Sequence, residues 1–161
     1  MDKKLINIIE QHCVDAILVT NKYDITYVSK FTGEECYVLL TKTNDYLIAD
    51  KRYFEQAKKQ CPGFKIVLYE KFQADLMDII KDLLKTNNIK RLGVDVCDIG
   101  HRLYEHIVDT IEDVEVADLE EPFKESRSIK SPEEIQKMQM ASEIADKSYY
   151  RMLQMISEGM S

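Results

Sequence analysis

Glu34-Glu35-Cys36-Tyr37-Val38-Leu39-Leu40-Thr41, then Lys42-Thr43-Asn44-Asp45, then Tyr46-Leu47-Ile48-Ala49: two runs of aliphatic, aromatic and β-branched residues flank a polar four-residue connector. Residues of those types fit a pleated, half-buried surface, and so short a polar link suits an antiparallel hairpin. Downstream the pattern changes. Strand-like runs at 64–69, 92–96 and 114–119 alternate with helical stripes, Leu76, Ile79, Ile80, Leu83 and Leu84 within 75–85 and Leu103, Ile107 and Ile111 within 98–111. Strands separated by helices of that length pair in parallel, because the crossover has to return over the sheet. One hairpin joined to βα units specifies an α/β domain with a mixed sheet and flanking helices.

The remaining segments fit that outline. Leu5, Ile8 and Ile9 take the i, i+3, i+4 spacing of one helical face across residues 3–12, and residues 14–20 read as a strand. Asn21-Lys22 reads as a turn leading into 25–28, a segment open between a strand and a short helical turn. Residues 52–60 form a helix stopped by Cys61-Pro62-Gly63, since proline cannot continue the hydrogen-bond ladder. Asn87-Asn88 ends the helix of residues 75–85.

Composition bounds what such a chain does. Its 161 residues suffice for one domain with its own core, and 45% apolar with 32% charged residues argues for a folded chain rather than a disordered one. Apolar runs such as 16–19 and 37–40 are far shorter than the roughly 20 residues of a membrane-spanning helix. The first residues, Met1-Asp2-Lys3-Lys4, lead into no apolar signal core, so the expected compartment is the cytoplasm. Lys and Arg number 22 against 29 Asp and Glu, a net charge of -7. Basic residues are scattered, so no nucleic-acid partner and no membrane partner is expected. Cys13, Cys36, Cys61 and Cys97 lie more than 20 residues apart and read as four reduced thiols.

Glycine stands only at 33, 63, 93, 100 and 159, which excludes the glycine-rich dinucleotide and P-loop signatures. His101 and His106, five apart, diverge by about 140° on a helix. Cys97 and His101 have i, i+4 spacing but make two ligands only, and Cys97 reads as a buried thiol near a helix start. The sharpest catalytic reading internal to the sequence is Asp15, Asp50 and Asp95. All three sit at strand ends, where a ribonuclease-H-like sheet gathers carboxylates about divalent ions. Helix or turn capping is the competing role, above all for Asp50, which directly precedes a helix.

At the carboxy-terminal end, Ser131-Pro132-Glu133-Glu134 is a capping box with proline at the first helical position. Ile135, Met138, Ala141, Ile144, Ala145, Tyr149, Met152 and Ile156 then make one long apolar stripe, with Gly159 placed as a C-cap. Such a stripe needs a cover: the preceding domain, a second copy, or a body that lies outside this chain.

Three stretches resemble one family. Asp15-Ala16-Ile17-Leu18-Val19-Thr20-Asn21 with Ile25-Thr26-Tyr27-Val28-Ser29-Lys30-Phe31-Thr32-Gly33, then Ile48-Ala49-Asp50-Lys51-Arg52-Tyr53-Phe54-Glu55-Gln56-Ala57, then Arg127-Ser128-Ile129-Lys130-Ser131-Pro132-Glu133-Glu134-Ile135 with Gly159-Met160-Ser161 are similar to motifs of the creatinase, prolidase and Xaa-Pro aminopeptidase family. Lys30 stands where that family usually has glycine, Val28 where it has leucine, and Asp24 where it has asparagine. The resemblance implies a creatinase-like amino-terminal domain at 1–126, with ribonuclease-H-like architecture. At 127–161 it implies the linker and first helix of a pita-bread catalytic domain that the chain does not complete. It further implies a homodimer, a proline-containing peptide substrate, and two divalent ions (manganese, cobalt or zinc) in the parent enzyme. No catalytic residue and no metal ligand is expected in this fragment, which is expected to be inactive alone. Phe31, Thr32 and Gly33 match a loop near the active-site mouth. Asp50, Arg52 and Tyr53 match a motif of structural character, in which Arg52 holds Asp50 or a strand-end carbonyl.

Overall fold

The computed structural model describes residues 3–69, 76–111 and 113–160. They fall into two units, residues 1–124 and 125–161, each with its own internal packing.

In the first unit, α1 (Lys3–Gln11) leads into β1 (Ala16–Val19), α2 (Lys22–Ser29), β2 (Cys36–Thr41) and β3 (Asp45–Asp50). One 3-10 turn, Lys51–Tyr53, precedes α3 (Phe54–Gln60). The chain continues through β4 (Lys65–Tyr69), α4 (Leu76–Thr86), β5 (Arg91–Asp95), α5 (His101–Thr110) and β6 (Glu115–Leu119). The six strands form one sheet in the order β4-β3-β2-β1-β5-β6. Both neighbours of β2 run antiparallel to it, and the β3/β4, β1/β5 and β5/β6 pairs are parallel. The sheet is therefore mixed for the reason the sequence supplies, one hairpin among βα crossovers. Asp45 belongs to β3, so three residues make the turn; Thr41 Oγ1 organises it by donating to Asn44 O and accepting from the amides of Thr43 and Asn44.

Side chains alternate across the sheet, and both faces are covered. Ile17, Val19, Val38, Leu40 and Leu47 pack with α1, α2 and α3 through Leu5, Ile8, Ile9, Ile25 and Ala57. Ala16, Leu18, Leu39, Ile48, Leu92 and Val94 pack on the other face with Met77, Ile80, Leu84 and Ile107 of α4 and α5. Double coverage explains why β1 and β3 are buried at every position.

One open reading is decided here and one expectation changes. The segment 25–28, open between a strand and a short helical turn, is helical: it lies inside α2, and Asn21 caps that helix by accepting from the amides of Tyr23 and Asp24. Its β-branched residues read locally as a strand, but a caps-plus-core solution wins because Ile25 is buried beneath the sheet. The helix expected from residue 98 starts at His101, with Gly100 as its N-cap and Asp98 in the preceding turn. The start expected at Asp75 lies outside the described residues.

The chain continues through α6 (Lys124–Ser128), whose first residue is the last of the first unit, and α7 (Pro132–Met155) lies in the second unit. Ser131 Oγ accepts from Glu134 N while Glu134 Oε2 accepts from Ser131 N, which completes the capping box. Taken by itself, this unit leaves Ile135, Met138, Ile144, Tyr149 and Met152 exposed. Gly159 is not the C-cap: α7 ends at Ile156 in extended backbone, and Gly159 takes φ +85° in a separate turn closed by Met160 N donating to Ser157 O. No described helix is long and apolar enough to cross a membrane.

Candidate functional site at one edge of the sheet

Because β1, β3, β4 and β5 run the same way, their last residues meet at one edge of the sheet, and the segment joining α2 to β2 lies there. That segment, residues 30–35, is the predicted access loop with its flanks. Phe31 is fully buried, its ring meeting Tyr53 edge-on at 6.0 Å between centroids. Gly33 lies against both rings. A Cβ there would sit 2.5 Å from Phe31 Cζ and 3.2 Å from Tyr53 Cδ1, so glycine is required by close approach. Thr32 is exposed, and Gln60 and Gln56 of α3 hold it: Thr32 N donates to Gln60 Oε1 at 3.0 Å, and both glutamine amides donate to Thr32 Oγ1.

The other flank is fixed by charge. Asp50, at the end of β3, accepts from Arg52 N at 2.9 Å and from Arg52 Nε at 2.7 Å. Arg52 Nη2 reaches on to Glu35 Oε2 at 2.9 Å, so one guanidinium ties a strand end to the loop. Its hydrogen bond holds the Asp50 carboxyl below the ordinary carboxylate range. Tyr69, ending β4, donates to Glu35 O, which stabilises the left-handed backbone of Glu35 at φ 49°. Burial pushes the Tyr69 hydroxyl up to about 12. Glu35, Gln56, Gln60 and Tyr69 were not singled out from sequence; only the i, i+4 spacing of the two glutamines on α3 hinted at a shared face.

Beside the loop is a pocket of about 260 Å³ lined by Thr20, Lys22, Ile25, Gly33, Glu34 and Cys36. Lys22 and Glu34 form an exposed ion pair at 3.1 Å. The Cys36 thiol is pushed up to about 11 by burial and donates to Gly33 O. A thiol and a phenol raised so far are poor nucleophile and poor general acid near neutrality.

The three-aspartate reading fails on topology. Asp15 precedes β1 and so lies at the opposite edge, roughly 13 Å along the strand direction from the level of Asp95. There it accepts from Lys42 Nζ and from the amides of Lys90 and Arg91, which hold it below its usual range. Asp50 and Asp95 share an edge but are three strand spacings apart, about 14 Å. Asp95 instead lies with Asp24 and Asp98, one carboxylate oxygen of each within 4.8 Å of the others. Cys97 is exposed rather than buried, because it falls in the turn after β5, and His101 pairs with Glu105.

Residues 3–129 match the family model of the Creatinase/Prolidase N-terminal domain. The chain belongs to this family. It is 31% identical over 159 residues to an uncharacterized peptidase, YqhT, of Bacillus subtilis (strain 168), covering 99% of this chain and 44% of that protein. Among solved structures it is similar to the Xaa-Pro dipeptidase from Bacillus anthracis, with a TM-score of 0.90, 29% identity, and coverage of 99% of this chain and 44% of that one. It is also similar to the X-Pro aminopeptidase from Thermotoga maritima MSB8, with a TM-score of 0.84, 26% identity, and coverage of 96% and 45%. The chain thus spans less than half the length of these relatives, and what it matches is their amino-terminal part. This Creatinase/Prolidase N-terminal domain has the mixed sheet and the long following helix that the resemblance implied.

Proposed function

We propose that this chain is the accessory and dimerisation domain of a proline-specific metallopeptidase, an Xaa-Pro dipeptidase or Xaa-Pro aminopeptidase, shaping access of a proline-containing peptide without hydrolysing it. The observation that carries the reading is the family match over residues 3–129, combined with relatives that bear those peptidase names and of which the chain spans less than half. In this reading residues 1–126 are the accessory domain, and 127–161 are the linker and first helix of the catalytic domain. The exposed side chains of Thr32, Glu34 and Glu35 present the access surface. Phe31 and Gly33 support it from beneath, and Asp50, Arg52 and Tyr53 hold that support in place. Buried free thiols at Cys36 and Cys61 suit a cytoplasmic, reducing setting.

A pair of divalent ions does not fit the described residues. Two ions about 3.5–4 Å apart need bridging carboxylates and further ligands on each side. Among the described residues the one group with ligand geometry offers three oxygens and no histidine. No hydrolytic step is therefore assigned to this domain, and the manganese, cobalt or zinc pair belongs to the rest of the enzyme. Given Xaa-Pro dipeptides and added manganese, the 161-residue chain is expected to show no turnover; measurable hydrolysis overturns the accessory reading. Light scattering at micromolar concentration is expected to give twice the chain mass, and a monomer removes the dimerisation role. A pure interaction module is favoured by one observation, the exposed apolar residues of α7. If a chain ending at Lys130 keeps the same oligomeric state, that alternative loses its motive.

A further inference from the structure

We propose that Asp24, Asp95 and Asp98 bind one hard divalent cation, of the calcium, magnesium or manganese class, at the end of β5. Three elements bring them together. Leu92 and Val94 face α4 and α5, so the alternation of β5 turns Asp95 to the opposite side, toward α2. Asn21 caps α2 and thereby sets Asp24 in its first turn, where it is buried. Asp98 lies in the turn that folds back on β5, with its amide and that of Ile99 donating to Asp95 O.

Spacing and ligand type select the class of ion. Calcium–oxygen bonds of about 2.3–2.6 Å place opposite ligands about 4.6–5.2 Å apart, so oxygens within 4.8 Å of one another fit around a single ion. All three ligands are carboxylate oxygens, which suit hard cations and leave the other coordination positions to water.

An independent observation points into the cluster. Asp95 Oδ1 accepts from the amides of Cys97 and Glu121, while Oδ2 is buried and has no hydrogen-bond partner among the described residues. A buried acceptor left so is destabilising, more so when ionised, unless something positive meets it. A shared proton would satisfy two of the three carboxylates; the third acid at this distance favours an ion. Such an ion would fasten the start of α2 to the end of β5.

The test is manganese alone, titrated into the chelator-treated 161-residue chain and followed by the paramagnetic signal of free Mn2+. One ion per chain is expected, with a dissociation constant of about 10⁻⁴–10⁻³ M, displaced by calcium, and a rise in thermal midpoint on saturation. Asp98 is exposed, so Asp98→Asn retains the fold, and it is expected to weaken binding at least about tenfold. Asp95→Asn is expected to abolish it. Absence of saturable binding up to about 10 mM, well above that range, overturns the proposal. Binding that Asp98→Asn leaves undiminished overturns it equally.

Discussion

Asp50 and Asp95 end two strands that run the same way in one sheet, and each is 6% exposed, yet their surroundings are opposite. Asp50 has a guanidinium two residues on and is held ionised; Asp95 has two amides on one oxygen, none on the other, and acids for neighbours. At equal exposure the partners decide the outcome: the Arg52 guanidinium outweighs burial at Asp50, whereas burial prevails at Asp95. The Asp50 end is a completed joint. The Asp95 end is one donor short of satisfied.

The largest expected effect tests whether the Asp50 joint rests on packing. Phe31→Ala empties a fully buried site under Gly33 and beside Tyr53, and is expected to cost about 3–5 kcal/mol in chemical denaturation. A cost below about 1 kcal/mol would show that the charges hold the loop unaided.

Next, the two aspartates are expected to respond with opposite signs. In chelator at pH 7, Asp95→Asn removes a buried, repelled charge and is expected to raise the thermal midpoint by about 2–4 °C. Asp50→Asn loses the pairing with Arg52 and is expected to lower it. Equal signs in a thermal melt would break the comparison.

The pH dependence sharpens it. Asp50 titrates below its ordinary value of 3.8 in the folded chain, so the unfolded chain binds its proton first. Its contribution is complete above pH 3.8 and is lost as pH falls through the folded value. In Asp50→Asn that part of the acid-side loss is expected to vanish from the stability-against-pH curve; an unchanged curve would mean that Arg52 does not couple to folding.

The smallest effect is at Lys30, which caps α2 with φ 63° where the family usually has glycine. Relief of left-handed backbone is worth about 1–2 kcal/mol, against about 0.4–1 kcal/mol for a freer unfolded chain. The Lys30 ammonium also lies 5.4 Å from the Tyr27 ring, worth about 0.5 kcal/mol at an exposed site. Lys30→Gly is therefore expected to stabilise by about 0.5 kcal/mol or less, and a measured loss would assign the cap to the ring contact.

What the sequence determined by itself was whatever depends on neighbours along the chain. The hairpin around 42–44, the stripe Leu5, Ile8, Ile9, the stop at Pro62-Gly63 and the Ser131 capping box all follow from periodicity and short-range hydrogen bonding. The Asp50–Arg52 joint belongs with them, since the two residues stand two apart. The family motifs were legible for the same reason, being contiguous strings. What only the tertiary structure decided was everything set by strands adjacent in space but distant in sequence. It buried Ile25 and so made a helix of a β-branched segment. It sent Asp15 to one edge and Asp95 to the other, and it joined Asp24 to Asp95 across some 70 residues of chain. The physical reason is that periodicity tells which face a side chain takes, whereas the order and direction of strands tell which distant side chains share that face.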